Sequence, residues 1–390
     1  MYELIATATF GLEAVVRREI ERLGYEIIKT EDGKVTFAGD ERAIVRSNLW
    51  LRTADRVLLK ACEFDACTFE ELFQGIRAYP WEELIPADGK FTVTCSTVKS
   101  KLHNPPAIQS VSKKAVVERM REAYGLERFP ETGAEYTIKV TMLKDRATVT
   151  VDTSGTGLHK RGYRTASVDA PMKETLAAAL VDLSFFRPGR VLVDPCCGSG
   201  TIPIEAAMIA ANIAPGLSRT FACEDWEIIP AEVWKQERAD AFASIAPPEG
   251  ADAGQPAVRI YASDIDPKAI AAAMENAVEA GVEEYISFAR ADVKDLGKRV
   301  ADMQAAESGD GRGIIITNPP YGERIGEQEE ISSIFRALGR FCKDNPQWSL
   351  FVITPDKDAE KKIMGRRADR RRKLYNGNIE TTYYQFHGVK

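Results

Sequence analysis

Four residues in "IIITNPPYGERIG" offer acceptors and one aromatic ring: Asn318, Pro319, Pro320 and Tyr321. The prolines carry no N–H, so the loop presents oxygens rather than donors. Such an edge suits a reacting group that is itself a donor, above all the amino group of a nucleobase. The amine's lone pair is delocalised into its ring and is a poor nucleophile. Hydrogen bonds to the Asn318 side chain and the Pro319 carbonyl would turn that lone pair out of the ring plane, while Tyr321 stacks on a flipped base. Catalysis would then rest on positioning and electrostatics, with no metal or covalent nucleophile.

Three carboxylates stand where such a site needs a cofactor. In "VDPCCGSGTIPIEAA" (193–207) an apolar run ends at Asp194, and a glycine turn opens a helix-like run. Gly198 and Gly200 let the backbone approach a ligand with no Cβ in the way. A dinucleotide fingerprint wants a third glycine where Pro203 stands, which argues against a pyrophosphate binder. Asp194 would repel phosphate and welcome an ammonium or sulfonium. Asp264, ending the next strand in "IYASDIDPKAI", can accept both hydroxyls of a ribose. Asp292, ending "FARAD", can take the amine of an adenine. Asp266 reads as a helix N-cap before Pro267, with Gly281 closing that helix. An amine, a ribose and an adenine together describe S-adenosylmethionine.

The elements that position these residues alternate strand and helix: "RVLVD", "VRIYASD", "ISFARAD", "GIIITN" and "WSLFVITPD". Short, nearly continuous apolar runs imply a parallel sheet covered on both faces, closed here by a hairpin turning at Asn376-Gly377. Seventy positions separate Asp194 from Asp264, so residues 213–257 read as an inserted helical segment near the pocket mouth. Upstream, residues 1–62 run β-α-β-β-α-β, a ferredoxin-like order. Residues 66–155 follow as helix, strand, helix ("SVSKKAVVERMREAYG") and hairpin. The expected fold class is α/β, a Rossmann-like sheet preceded by two α+β blocks. The expected boundaries are 1–65, 66–155, a linker at 156–171, and 172–390, with 160–390 folding alone.

Composition narrows the setting. A net charge of −6 argues against wholesale basic binding, and no run approaches the ~18 apolar residues of a membrane span. Seven scattered cysteines suit a reducing compartment, and the start of the chain has no signal-peptide pattern, so a cytoplasmic location is expected. No C-x-x-C pair exists and the three histidines are far apart, which leaves no metal site to expect.

"DPCCGSGTIPIEAA", "ASDIDPKAI" and "TNPPYGERI" resemble the cofactor and catalytic motifs of class I RNA methyltransferases. "GLHKRGYR", "APMKETLAAALV" and "RRKLYNG" look like the bacterial 23S rRNA guanine-N2 methyltransferases of the RlmL/YpsC type. The resemblance covers nearly the whole chain and implies a ferredoxin-like start followed by a THUMP RNA-binding domain. It implies that Asp194, Cys196, Gly198, Gly200, Thr201, Asp264, Asp292 and Asn318 bind S-adenosylmethionine, with Asn318 to Tyr321 holding the base. The partner it implies is RNA, 23S rRNA or a large-subunit precursor.

Local charge supports an RNA partner. Residues 97–121 carry six basic side chains, among them Lys99, Lys101, Lys113 and Lys114, against one acid. Residues 366–373 again carry six, among them Arg366, Arg367, Arg370 and Arg371, against Asp369. With Lys160 and Arg161 from the linker, these are the expected phosphate contacts. Two alternatives stay open: a tRNA or DNA amino-methyltransferase, and a noncatalytic RNA-binding assembly factor.

Overall fold

The computed structural model describes residues 1–165, 172–187, 189–246, 259–306, 312–321 and 327–389. The chain forms two compact units. One holds residues 1–8, 16–158 and 219–240; the other holds 9–15, 159–218 and 241–390.

The first unit is built on β1 (Tyr2–Ala8), α1 (Glu13–Arg22), β2 (Ile27–Glu31), β3 (Lys34–Gly39), α2 (Glu41–Trp50) and β4 (Ala54–Asp65). It continues through α3 (Phe69–Arg77), β5 (Lys90–Val98), α4 (Pro105–Tyr124), β6 (Glu135–Leu143) and β7 (Arg146–Asp152). The two small blocks of the sequence share one seven-stranded sheet of order β2-β3-β1-β4-β7-β6-β5. Strand β4 makes the join: its twelve residues pair with β1 on one side and β7 on the other. Helix α4 starts five residues earlier than the apolar periodicity suggests. Asn104 caps it by accepting from Ala107 N at 3.3 Å, and Pro105 occupies the first position, where its missing N–H costs nothing.

The second unit comprises α5 (Glu174–Leu183), β8 (Val191–Asp194), α6 (Thr201–Ala210), β9 (Ile260–Asp264), α8 (Pro267–Glu279), β10 (Ile286–Arg290), α9 (Leu296–Ala306), β11 (Gly313–Thr317), α10 (Glu327–Asp344), β12 (Ser349–Thr354), α11 (Ala359–Met364), β13 (Arg370–Asn376) and β14 (Ile379–Phe386). Its sheet runs β10-β9-β8-β11-β12-β14-β13. The first five strands are parallel, and β14 is antiparallel. Sequence order reverses direction at β8 and β11, the switch point at which such sheets bind ligands beyond their strand ends.

Three expectations need correction. The insertion is helical, with α7 (Ala231–Ala243), but residues 219–240 belong to the first unit. Its aromatic side chains found burial there: Trp226 stacks on Tyr136 with centroids 4.7 Å apart, and Trp226 Nε1 donates to Glu135 O at 3.1 Å. Residues 247–258 of that insertion lie outside the described residues. The second unit also takes residues 9–15, whose Leu12 and Val15 are wholly buried in its core, so 160–390 is not a self-contained body. Finally, the described part of the linker, through Thr165, is not free. Arg161 and Tyr163 are buried, and both reach Glu205 of α6.

Candidate active site

Strand β8 is three apolar residues followed by an acid, so its last member, Asp194, is carried into the interior and left 1% exposed. One carboxylate oxygen accepts from Cys196 N at 3.2 Å; the other is buried with no hydrogen-bond partner among the described residues. Burial pushes this carboxyl up to about 7, and the neighbouring Asp264 charge adds to the rise. The Thr317 hydroxyl is the other polar group that bears on it, and a buried carboxylate of this kind favours a cationic ligand.

The turn after Asp194 needs its glycines for two different reasons. Gly198 and Gly200 take φ +53 and +86, both left-handed. A Cβ on Gly200 would come 3.0 Å from the Ala273 Cβ, so that glycine makes room for α8 rather than for a ligand. Gly198 N instead donates to Asp264 Oδ2 at 2.9 Å, locking the turn onto the end of β9. Asp264 Oδ1 accepts from Asp266 N at 3.0 Å. Each oxygen keeps further acceptor capacity for a ribose hydroxyl. Asp266 caps α8, accepting from Lys268 N at 2.9 Å, as its place before Pro267 suggests.

The remaining cofactor candidates have local duties. Thr201 is buried and its hydroxyl accepts from Arg164 Nη2 at 3.0 Å. Burial raises the Cys196 and Cys197 thiols well above the ordinary range, so neither supplies a thiolate at neutral pH. Asp292 caps the turn that follows it, accepting from Lys294 N at 2.9 Å.

Strand β11 is buried along its whole length and delivers Asn318 beside the end of β8. Asn318 Oδ1 is a second buried oxygen with no partner among the described residues. Pro319 is buried, Pro320 exposed and Tyr321 half-buried. The Tyr321 hydroxyl accepts from Asn376 Nδ2 at 3.0 Å, which fixes the ring from β13. Asp194 ends β8 and Asn318 follows the paired strand β11, and each keeps a buried oxygen with no partner among the described residues. These residues fit S-adenosylmethionine with an amino substrate.

Residues 161–385 match the family described as "RMKL-like, methyltransferase domain". The chain belongs to this methyltransferase family. Residues 3–58 match an RlmL ferredoxin-like domain and 66–152 a THUMP domain. The methyltransferase is 46% identical over 387 residues to the "Putative RNA methyltransferase YpsC" of Bacillus subtilis, covering 99% of this chain and 96% of that one. It is 37% identical over 395 residues to the "Ribosomal RNA large subunit methyltransferase K/L" of Syntrophotalea carbinolica, covering 98% of this chain and 53% of the relative. The chain thus spans about half the length of the K/L proteins it matches. A Listeria monocytogenes structure described as a predicted N6-adenine-specific DNA methylase superposes with a TM-score of 0.89 at 45% identity, covering 100% and 96% of the two chains. A "putative methyltransferase complexed with SAH" gives 0.89 at 40%, covering 100% and 98%.

Sequence reasoning overlooked three side chains of the methyltransferase unit. Asn276, fully buried in α8, donates to Ser199 O at 3.0 Å and accepts from Thr165 N at 3.2 Å, tying the glycine turn to the linker. A polar residue in the apolar series Ala269, Ala273, Ala277 was its signal. Glu205 receives Arg161, with Nε–Oε1 at 3.3 Å and both side chains out of solvent. Arg161 is therefore an internal ion pair, not a phosphate contact. Asn376 looked like a turn residue only.

Among the other basic candidates, Lys99, Lys101, Lys113, Lys114 and Lys160 are exposed. Lys114 lies 3.5 Å from Glu118. Arg366 pairs with Asp369 at 2.9 Å and Arg371 with Glu360 at 3.6 Å, so the run from 366 carries less free charge than its count suggests. Arg367 and Arg370 are exposed, with no acidic partner among the described residues. Among those residues no helix is long and apolar enough to cross a membrane.

Proposed function

We propose that this chain methylates the exocyclic N2 of a guanine in large-subunit rRNA, 23S rRNA or its precursor. The methyl donor is S-adenosylmethionine, which supplies an electrophilic methyl on a sulfonium. The observation that carries the reading is the buried Asn318 Oδ1 just past β11, which, like one oxygen of Asp194 at the end of the paired strand β8, has no hydrogen-bond partner among the described residues. In this reading Asp194 faces the cationic end of the cofactor and Asp264 takes the ribose hydroxyls. Asp292 takes the adenine amine, while Gly198 and Gly200 shape the turn and the Cys196 and Thr201 backbones line it.

Asn318 Oδ1 and the Pro319 carbonyl would accept the two hydrogens of the target amine and turn its lone pair out of the ring plane. Pro319 and Pro320 exclude competing donors from that edge. Tyr321, held by Asn376, stacks on the extruded base. The THUMP match and the exposed Lys99, Lys101, Lys113 and Lys114 favour RNA over DNA as the partner. Lys160, Arg367 and Arg370 are further phosphate contacts, with Arg366 and Arg371 partly neutralised.

The test is nucleoside mass spectrometry of rRNA, tRNA and DNA from cells with and without the gene. Loss of N2-methylguanosine from large-subunit rRNA is expected. Loss of a methylated adenine, or of a methylated base from DNA or tRNA, would replace the reading; no change in any pool would leave a noncatalytic RNA binder.

A further inference from the structure

Residues Thr9–Val15 belong to the second unit, where they run against β13, the outer strand of its sheet. Arg372 Nη1 donates to Gly11 O at 2.7 Å. Gly11 takes φ +90, and a Cβ there would stand 2.7 Å from Lys373 O, so the approach requires glycine. Leu12 is buried in the same cluster as Leu374. This strap packs against β13, which explains Gly11 and Leu12. It does not explain Phe10.

Phe10 is 51% exposed, and its ring meets Tyr375 edge-on, with centroids 6.3 Å apart and planes at 74°. Tyr375 directly precedes Asn376, whose side chain holds the Tyr321 hydroxyl. Lys373 Nζ lies 5.5 Å over the Tyr375 ring and pairs with Glu380 at 2.6 Å. The exposed Arg370 opens the same strand, and Arg367 lies just before it. A partly exposed aromatic pair therefore stands one residue along β13 from Asn376, whose side chain holds Tyr321, while Arg370 lies at the other end of that strand.

We infer that Phe10 and Tyr375 form a stacking platform for an unpaired RNA base flanking the extruded nucleotide. The inference rests on the RNA-methyltransferase reading above. Extrusion of one base leaves its neighbour without a stacking partner, and an exposed ring near the pocket offsets that loss. Aromatic stacking accepts any base, which suits a contact to a neighbouring nucleotide.

The experiment measures fluorescence polarisation of a labelled, unstructured RNA of about 12 nucleotides across a salt series, with wild type, Phe10→Ala and Phe10→Trp. Phe10→Ala should weaken binding about 5- to 100-fold with an unchanged salt slope, because a stacking contact is lost and no phosphate contact is. Phe10→Trp should bind as well as wild type. S-adenosylmethionine affinity and the melting temperature should not change in either variant. Wild-type affinity in Phe10→Ala, or a loss accompanied by weaker cofactor binding and a lower melting temperature, would overturn the platform alone. So would equal binding of a duplex of the same length. Wild-type protein that bound no RNA would overturn the RNA reading and the platform together.

Discussion

Gly198 N donates to Asp264 Oδ2 at 2.9 Å across 66 positions of sequence, joining the glycine turn after β8 to the end of β9. The carboxylate therefore shapes the turn. Asp264→Ala should weaken S-adenosylmethionine binding by at least ~1–3 kcal/mol through lost charge-assisted hydrogen bonds. Calorimetry finding wild-type affinity in a folded variant would remove Asp264 from the cofactor site.

Asp194 predicts a pH dependence. Its carboxyl ordinarily titrates near 3.8 and is pushed up to about 7 by burial. The fold therefore binds a proton that the unfolded chain releases, and stability of the free protein should fall as pH rises from about 4 to 7, then level. A cationic ligand favours the ionised form, so cofactor affinity should rise over the upper part of that window. Calorimetry at about pH 6 in buffers of different ionisation enthalpy should show proton release on binding, and Asp194→Asn should abolish it. Binding without proton release would sever Asp194 from the cation.

Asn318→Ala should keep cofactor affinity near wild type and lower methyl transfer by ~10²-fold or more, the usual loss for one pre-organised polar group. Single-turnover assays on saturating RNA give the rate. A rate within ~3-fold of wild type would reduce Asn318 to a structural residue.

Arg161 is held inside the fold by Glu205, so its loss should act on stability rather than on RNA affinity. Arg161→Ala should cost ~3–5 kcal/mol because it strands a buried carboxylate, and replacing both partners with apolar residues should recover most of that loss. Denaturant melts decide. An Arg161→Ala protein of wild-type stability but weaker RNA binding would return this residue to the phosphate contacts.

The fragment 160–390 should fail to fold cooperatively. It lacks Leu12 and Val15 of the second core, and it carries Phe221, Trp226 and Trp234, which are buried in the first. Exposed apolar surface of that kind binds hydrophobic dyes and drives association. A sharp thermal transition together with full cofactor affinity in the fragment would contradict this.

The local geometry of the candidate site was legible in the residues because it is set at short range. An apolar run ending in an acid, two glycines, then a helix places Asp194 and its turn; Asp266-Pro267 announces its own cap; Asn318-Pro319-Pro320 strips a strand end of donors. Each of these signals spans a few neighbouring residues and depends on dihedral preference, capping or side-chain chemistry. Only the tertiary structure could decide which core receives Leu12, where Trp226 is buried, what neutralises Arg161 and which side chain holds Tyr321. Those partners lie far apart in sequence: Arg161 and Glu205 are 44 positions apart, Tyr321 and Asn376 are 55, and Gly11 and Arg372 are 361. No local pattern encodes such pairs. They arise when strand order closes each sheet and every buried charge or exposed ring must find its complement among the surfaces then brought together.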